Sequence, residues 1–171
     1  MMMRGFWHTL SVFVLLTLLC GCVNDEEEPV WSLQPGDWCP EIEIAMNDGS
    51  TLTRPMLAGK RTLIVLFSTS CPDCQRELPI IQQAYDRLAG NTDAEIVCIS
   101  RSEPAASIEE FWHSHGLTLP YSAQTDDRVY RMFATGIIPR IYIIAPDLRV
   151  AAVFAEPDIP DSDILVALME E

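Results

Sequence analysis

Apolar positions change their period several times along the chain, and each change predicts an element. Residues 10 to 19 form one apolar run that stops at Cys20-Gly21-Cys22. Counted generously from Thr9 to Val23, it is still too short at 1.5 Å per residue to cross a hydrocarbon core of about 30 Å. From Trp31 the pattern becomes that of a folded domain. Glu41-Ile42-Glu43-Ile44-Ala45 alternates, and Asn47-Asp48-Gly49-Ser50 supplies a turn before Thr51-Leu52-Thr53, which predicts a hairpin. Leu63 to Phe67 is continuously apolar, as befits a strand covered on both faces. Residues 72 to 89 place Leu78, Ile81, Ala84, Tyr85 and Leu88 on one helical face, and Ile96 to Ile99 form a second buried strand.

Strand, helix and strand at this spacing imply a right-handed crossover between parallel neighbours. Helices are predicted over 107–115 and over 126–134, the latter packing Val129, Tyr130 and Phe133. Ile141 to Ile144 and Val150 to Phe154, joined through Pro146-Asp147, read as an antiparallel pair. Asp161 or Ser162 caps a last helix carrying Ile164, Leu165, Ala167 and Leu168. The sum is an α/β domain with a mixed central sheet flanked by helices.

The first thirty residues read differently. Arg4 precedes the apolar run and no acid does, the layout of a secretory signal. Leu19-Cys20-Gly21-Cys22 resembles a bacterial lipobox, in which a small residue precedes a cysteine that is acylated and becomes the new N-terminus; Cys22 fits and Cys20, after the larger Leu19, does not. Residues 1–21 are then a signal peptide. Several acyl chains on Cys22 would anchor the protein to a membrane. Residues 22–34, in which Cys22 is followed by Val23-Asn24-Asp25-Glu26-Glu27-Glu28-Pro29, form a solvated acidic tether. An acidic run after a lipidated cysteine also resembles a surface-export signal of some Gram-negative lipoproteins, so the expected location is the cell envelope, periplasmic or at the outer-membrane surface. Residues 35–171 remain as one domain without internal repeats.

Eleven basic and 25 acidic residues give a net charge of −14, which leaves no electrostatic footprint for nucleic acid. Chemistry is carried by Cys71-Pro72-Asp73-Cys74, at the switch from a buried strand to a helix. With Cys71 as N-cap, Pro72 takes the first helical position and Asp73 the second. The unpaired N–H groups of that turn favour thiolate over thiol at Cys71, and thiolate is the nucleophile. Cys74, one turn further in, suits the resolving role in disulfide exchange. The same spacing is half a zinc site, but Cys39 and Cys98 are isolated and His113 and His115 lie on another helix.

From about Pro35 onward the sequence resembles the TlpA/ResA-type thioredoxin-fold proteins, extracytoplasmic thiol:disulfide oxidoreductases. Gly36-Asp37-Trp38-Cys39-Pro40 and Leu57-Ala58-Gly59-Lys60 resemble segments before the first core strand. Cys71-Pro72-Asp73-Cys74-Gln75-Arg76-Glu77-Leu78-Pro79 resembles the active-site helix, and Gly136-Ile137-Ile138-Pro139 the cis-proline loop. The resemblance implies a thioredoxin fold with an N-terminal β-hairpin extension. It also implies a cis bond at Ile138-Pro139, and a residue-138 backbone that pairs with substrate. It further implies protein disulfide substrates, an upstream thiol donor, and no metal or organic cofactor; a monomer is expected.

Three departures stand out. Val65 occupies the position six before Cys71 where thioredoxins place a buried acid. Ser70 replaces the usual tryptophan. Asp73 puts a negative charge beside the Cys71 sulfur, favouring the disulfide and a reducing couple, partly offset by Arg76. A rival reading is a peroxiredoxin-like thiol peroxidase, with Ser68 as its hydroxyl and Arg140 next to the arginine position; another is a non-catalytic lipoprotein. Cys98 reads as a core residue, with a Cys39–Cys98 disulfide left open. Trp31, Trp38 and Trp112 read as packing anchors. The acids at 156, 158, 161 and 163 read as a solvated end.

Overall fold

A computed structural model of the chain describes residues 31–171; residues 1–30, with the expected signal peptide, Cys22 and most of the expected tether, lie outside it. The N-terminal hairpin pairs β1 (Glu43–Ala45) with β2 (Thr51–Thr53). The central sheet has the order β5-β4-β3-β6-β7, built from β3 (Arg61–Phe67), β4 (Ala94–Ser100), β5 (Tyr121–Ser122), β6 (Arg140–Ile144) and β7 (Val150–Ala155). β4 runs parallel to β3 and to β5, whereas β6 is antiparallel to β3 and to β7. The helices are α1 (Pro72–Arg87), α2 (Ala105–His115), the single turn α3 (Arg128–Arg131) and α4 (Ser162–Glu170).

The unbroken apolar runs of β3 and β6 are explained by two core layers. Leu63, Val65, Phe67, Ile141 and Ile143 face α1, α2 and α4. Ile64, Leu66, Tyr142 and Ile144 face the hairpin, Leu57, and Tyr130 and Phe133 around α3. The first layer is thus walled by long helices, and the second by the hairpin and short turns.

Several local features depart from the pattern-based expectations. The helix expected over 126–134 shrinks to α3, because Phe133 and Ala134 turn back to bond Tyr130 while Phe133 O and Thr135 N engage the entering residues 31–33. α4 begins at Asp161, whose carboxylate accepts the Ile164 N–H at 3.0 Å, but it buries Leu165, Val166 and Met169; Ile164 is exposed. The pair β5 was not legible, being two residues long. It is held by Asn47, which accepts from Tyr121 N through its side chain and donates to Tyr121 O through its backbone. Trp112 is buried and gives its indole N–H to Leu119 O, whereas Trp38 and Trp31 are 52% and 42% exposed and anchor little; Arg149 stacks on the outer face of Trp38. Among the described residues, no helix is long and apolar enough to cross a membrane.

Candidate active site

β3 ends at Phe67, and the chain turns through Ser68-Thr69-Ser70 into α1. Cys71 is the N-cap residue in an extended conformation, Pro72 is at the first helical position, and Gln75 N closes the first turn onto Cys71 O at 3.0 Å. Proline's missing N–H costs nothing there, so the local sequence dictates where the helix starts. The start is what puts two sulfurs one turn apart. Both are free thiols; Cys71 is partly exposed and Cys74 fully buried.

Burial of Cys74 is the main reason its thiol titrates far above the ordinary range; the Cys71 sulfur, to which it is hydrogen-bonded, pushes in the same direction, and a backbone bond from Ser68 works against both. Val65 and Cys98, opposite each other on adjacent strands, make an apolar floor in the same core layer. Val65, six residues before Cys71, is fully buried and offers no carboxylate to take the Cys74 proton. Asp73 is partly exposed and paired with Arg76 at 2.6 Å, which puts an opposite charge beside it.

The loop before β6 lies across the helix start. Ile138-Pro139 is a cis bond, as the resemblance implies, and the Cys71 thiol donates to Ile138 O at 3.6 Å. A second cis bond, Glu156-Pro157, follows β7. The chain there brings Glu156 to Arg76 at 3.5 Å and against Glu77, so the predicted solvated end does include one residue that touches the helix.

Burial, and then the charge and hydrogen bond of Glu156, hold the Glu77 carboxyl above its ordinary value of 4.5. The folded chain therefore keeps that proton to a higher pH than the unfolded chain does. As pH rises from 4.5, the native state loses stability relative to a protein without the acid. A Glu77→Gln variant should gain in urea midpoint on the parent between pH 4.5 and 7; a gap that stays constant across that range would exclude this coupling.

Sequence reading missed Glu103. It is 8% exposed, and its carboxylate accepts from both the N–H (2.9 Å) and the hydroxyl of Thr69, two residues before Cys71. Its only sequence signal is an acid placed just before a helix, which reads as an ordinary solvated end. Cys39 and Cys98, the other cysteines among the described residues, are both buried in the core. Cys98 lies in the α1 layer and Cys39 in the opposite one, both free, so the Cys39–Cys98 bridge does not form; burial pushes the Cys39 thiol up to about 11. Among the described residues, no group of three or more His, Cys, Asp or Glu is arranged to hold a metal ion.

A family model described as AhpC/TSA matches residues 35–153, from the opening motif through β6 and into β7. The chain belongs to the AhpC/TSA family. Within it, the kinship is with the ResA/TlpA-type thioredoxin-like proteins. The thiol-disulfide oxidoreductase ResA of Bacillus subtilis is 24% identical over 144 residues, covering 82% of this chain and 80% of that protein. A solution structure from Bacteroides thetaiotaomicron superposes with a TM-score of 0.75 at 22% identity, covering 81% of this chain and 92% of its own. A thiol:disulfide interchange protein of the thioredoxin family from Chlorobium tepidum gives 0.68 at 20% identity, covering 82% and 97%. These likenesses establish the thioredoxin fold.

Proposed function

We propose that the chain is a membrane-tethered thiol:disulfide oxidoreductase that passes electrons from the Cys71/Cys74 dithiol to disulfides of other extracytoplasmic proteins. The observation that carries this reading is the pairing of a partly exposed Cys71 with a buried, hydrogen-bonded Cys74 at one helix start, under the Ile138 carbonyl. Cys71 thiolate attacks one sulfur of a substrate disulfide, forming a mixed disulfide and expelling the other sulfur as a thiolate that takes up a proton. Cys74 then gives up its proton and attacks the Cys71 sulfur. The substrate's second thiolate leaves and is protonated, and two electrons and two protons have moved from enzyme to substrate.

The buried thiol is well suited to the second step. While Cys71 is free, Cys74 is held protonated by its surroundings and by the Cys71 sulfur. Once Cys71 is held in a mixed disulfide, its sulfur can carry no charge, and this part of the restraint on Cys74 is gone. Substrate would lie along residue 138 as an added short strand, held by Ile138 and oriented past Pro139. An upstream thiol donor would return the dithiol, and Cys22 would carry the lipid anchor within the cell envelope. Pro72 and Asp73, between the cysteines, tune the couple.

Reductant is favoured over oxidant because burial of Cys74, with a smaller push in the same direction from the charge of Asp73, disfavours its thiolate relative to the disulfide. Equilibration against dithiothreitol and glutathione buffers should give a potential nearer to about −270 mV than to about −120 mV. A value at the oxidising end would reverse the direction of electron flow.

The peroxidase reading has support from the family's breadth and from Ser68. Its arginine, however, is misdirected. Arg140 alternates with Ile141, which lies in the same core layer as Cys74, and its guanidinium acts on Tyr130 and Tyr142 in the opposite layer. The Ser68 hydroxyl is bonded to Ser70.

A further inference from the structure

Between β4 and α2 lies the tripeptide Arg101-Ser102-Glu103, whose two charged side chains reach in different directions. Arg101 donates through Nη1 to Gly136 O at 2.9 Å. Its guanidinium lies 4.5 Å above the centre of the Tyr130 ring, and the Tyr130 hydroxyl donates to Ile137 O at 3.3 Å. Two successive carbonyls of the loop before Pro139 are thus held by one stacked pair. Glu103 takes the N–H and hydroxyl of Thr69, while Gln75 Nε2 donates to Thr69 O at 2.7 Å. Two residues beyond one anchor stands the Cys71 sulfur, and two residues beyond the other stands the Ile138 carbonyl it touches.

Ser102 joins these halves in the left-handed region, with φ of +54°. A serine pays roughly 1 kcal/mol or more to sit there, and does so only where the surroundings insist. They do: Arg101 N bonds Phe67 O at the end of β3, Ser102 N bonds Asp126 O, and Glu103 N bonds Gln124 O. The tripeptide is therefore tied to the sheet and to the loop before α3 by its backbone, leaving its side chains as fixed struts.

We propose that Arg101 and Glu103 form a clasp that sets the opening between Cys71 and the Ile138 edge, and so gives the site its preference for disulfides within extended polypeptide over small disulfides. A polypeptide must meet both the sulfur and the backbone of residue 138 at once, so its transition state depends on the spacing. A small disulfide needs only the sulfur. Arg101 and Glu103 are positioning residues, acting through Gly136 and Thr69. The inference rests on the exchange reading above.

The test compares kcat/KM for a disulfide-bonded peptide with that for oxidised glutathione, in the parent, Arg101→Met, Arg101→Lys, Glu103→Ala and Glu103→Gln proteins. The peptide-to-glutathione ratio should fall about tenfold in Arg101→Met and in Glu103→Ala, as for loss of a hydrogen bond to a charged group, and mainly through KM for the peptide. Lysine and glutamine, which keep a donor and an acceptor respectively, should restore most of it. A ratio that stays at the parent value, whether both rates fall together or neither falls, would overturn the clasp. Should Glu103→Ala not fold, Arg101→Met decides alone, since Arg101 is partly exposed. A parent protein that reduces neither substrate would instead overturn the exchange reading, and the clasp with it.

Discussion

Replacing Cys74 with alanine is expected to leave the first attack intact and to stall the enzyme as a mixed disulfide through Cys71, whereas Cys71→Ser abolishes exchange by at least about three orders of magnitude. The asymmetry follows from position. Cys71 is the partly exposed sulfur at the helix start, and Cys74 is fully buried behind it. Serine suits the N-cap position at 71 but offers no thiolate, and removing a nucleophile costs on this scale. Alanine at 74 fits a buried apolar site and removes only the group that would release the product. Non-reducing gels and intact mass after incubation with a disulfide-bonded protein check both. Exchange surviving in Cys71→Ser, or no adduct on Cys74→Ala, would remove the proposed division of labour.

The second large effect concerns the wall behind the site. Trp112→Ala should lower stability by about 3–5 kcal/mol, the range for emptying a buried aromatic site. Trp112 is 5% exposed, and its ring lies 5.1 Å from both Phe67 and Tyr121, centre to centre. It therefore joins the last residue of β3, the start of β5 and α2, and it also satisfies Leu119 O. Trp112→Phe should recover most of the loss, less about 1 kcal/mol for the indole hydrogen bond. Trp38→Ala, which removes a half-exposed ring stacked on Arg149, should cost under about 1 kcal/mol by comparison. Urea unfolding followed by circular dichroism measures all three; equal losses at positions 112 and 38 would contradict the burial argument.

The sequence made the main elements readable because their signals are local. A run such as Leu63 to Phe67 has no polar face, so it demands cover on both sides, and the structure supplies two layers. The helix start at Cys71-Pro72 was equally plain, since proline tolerates that position and few others. Elements whose existence depends on distant partners were not readable. β5 is a strand because it pairs with β4, earlier in the chain, and Asn47, 74 residues away in sequence, bonds Tyr121 from the other side. α3 ends early because the entering chain claims the groups that a longer helix would use. The face that α4 buries is chosen by what it meets on α1 and β3, not by its own mean apolarity.

The site divides in the same way. Chain order alone determined which two sulfurs sit one turn apart and which of them caps the helix, because both depend on residues within four positions of each other. Only tertiary structure decided that Cys74 is sealed while Cys71 is not, that Ile138 lies over the outer sulfur, that Arg140 turns to the far layer, and that Glu103 reaches back 34 residues to Thr69. Burial and carbonyl direction are properties of the space between elements. That space comes into being when β3, β4 and β6 pair, and no window along the chain contains all three.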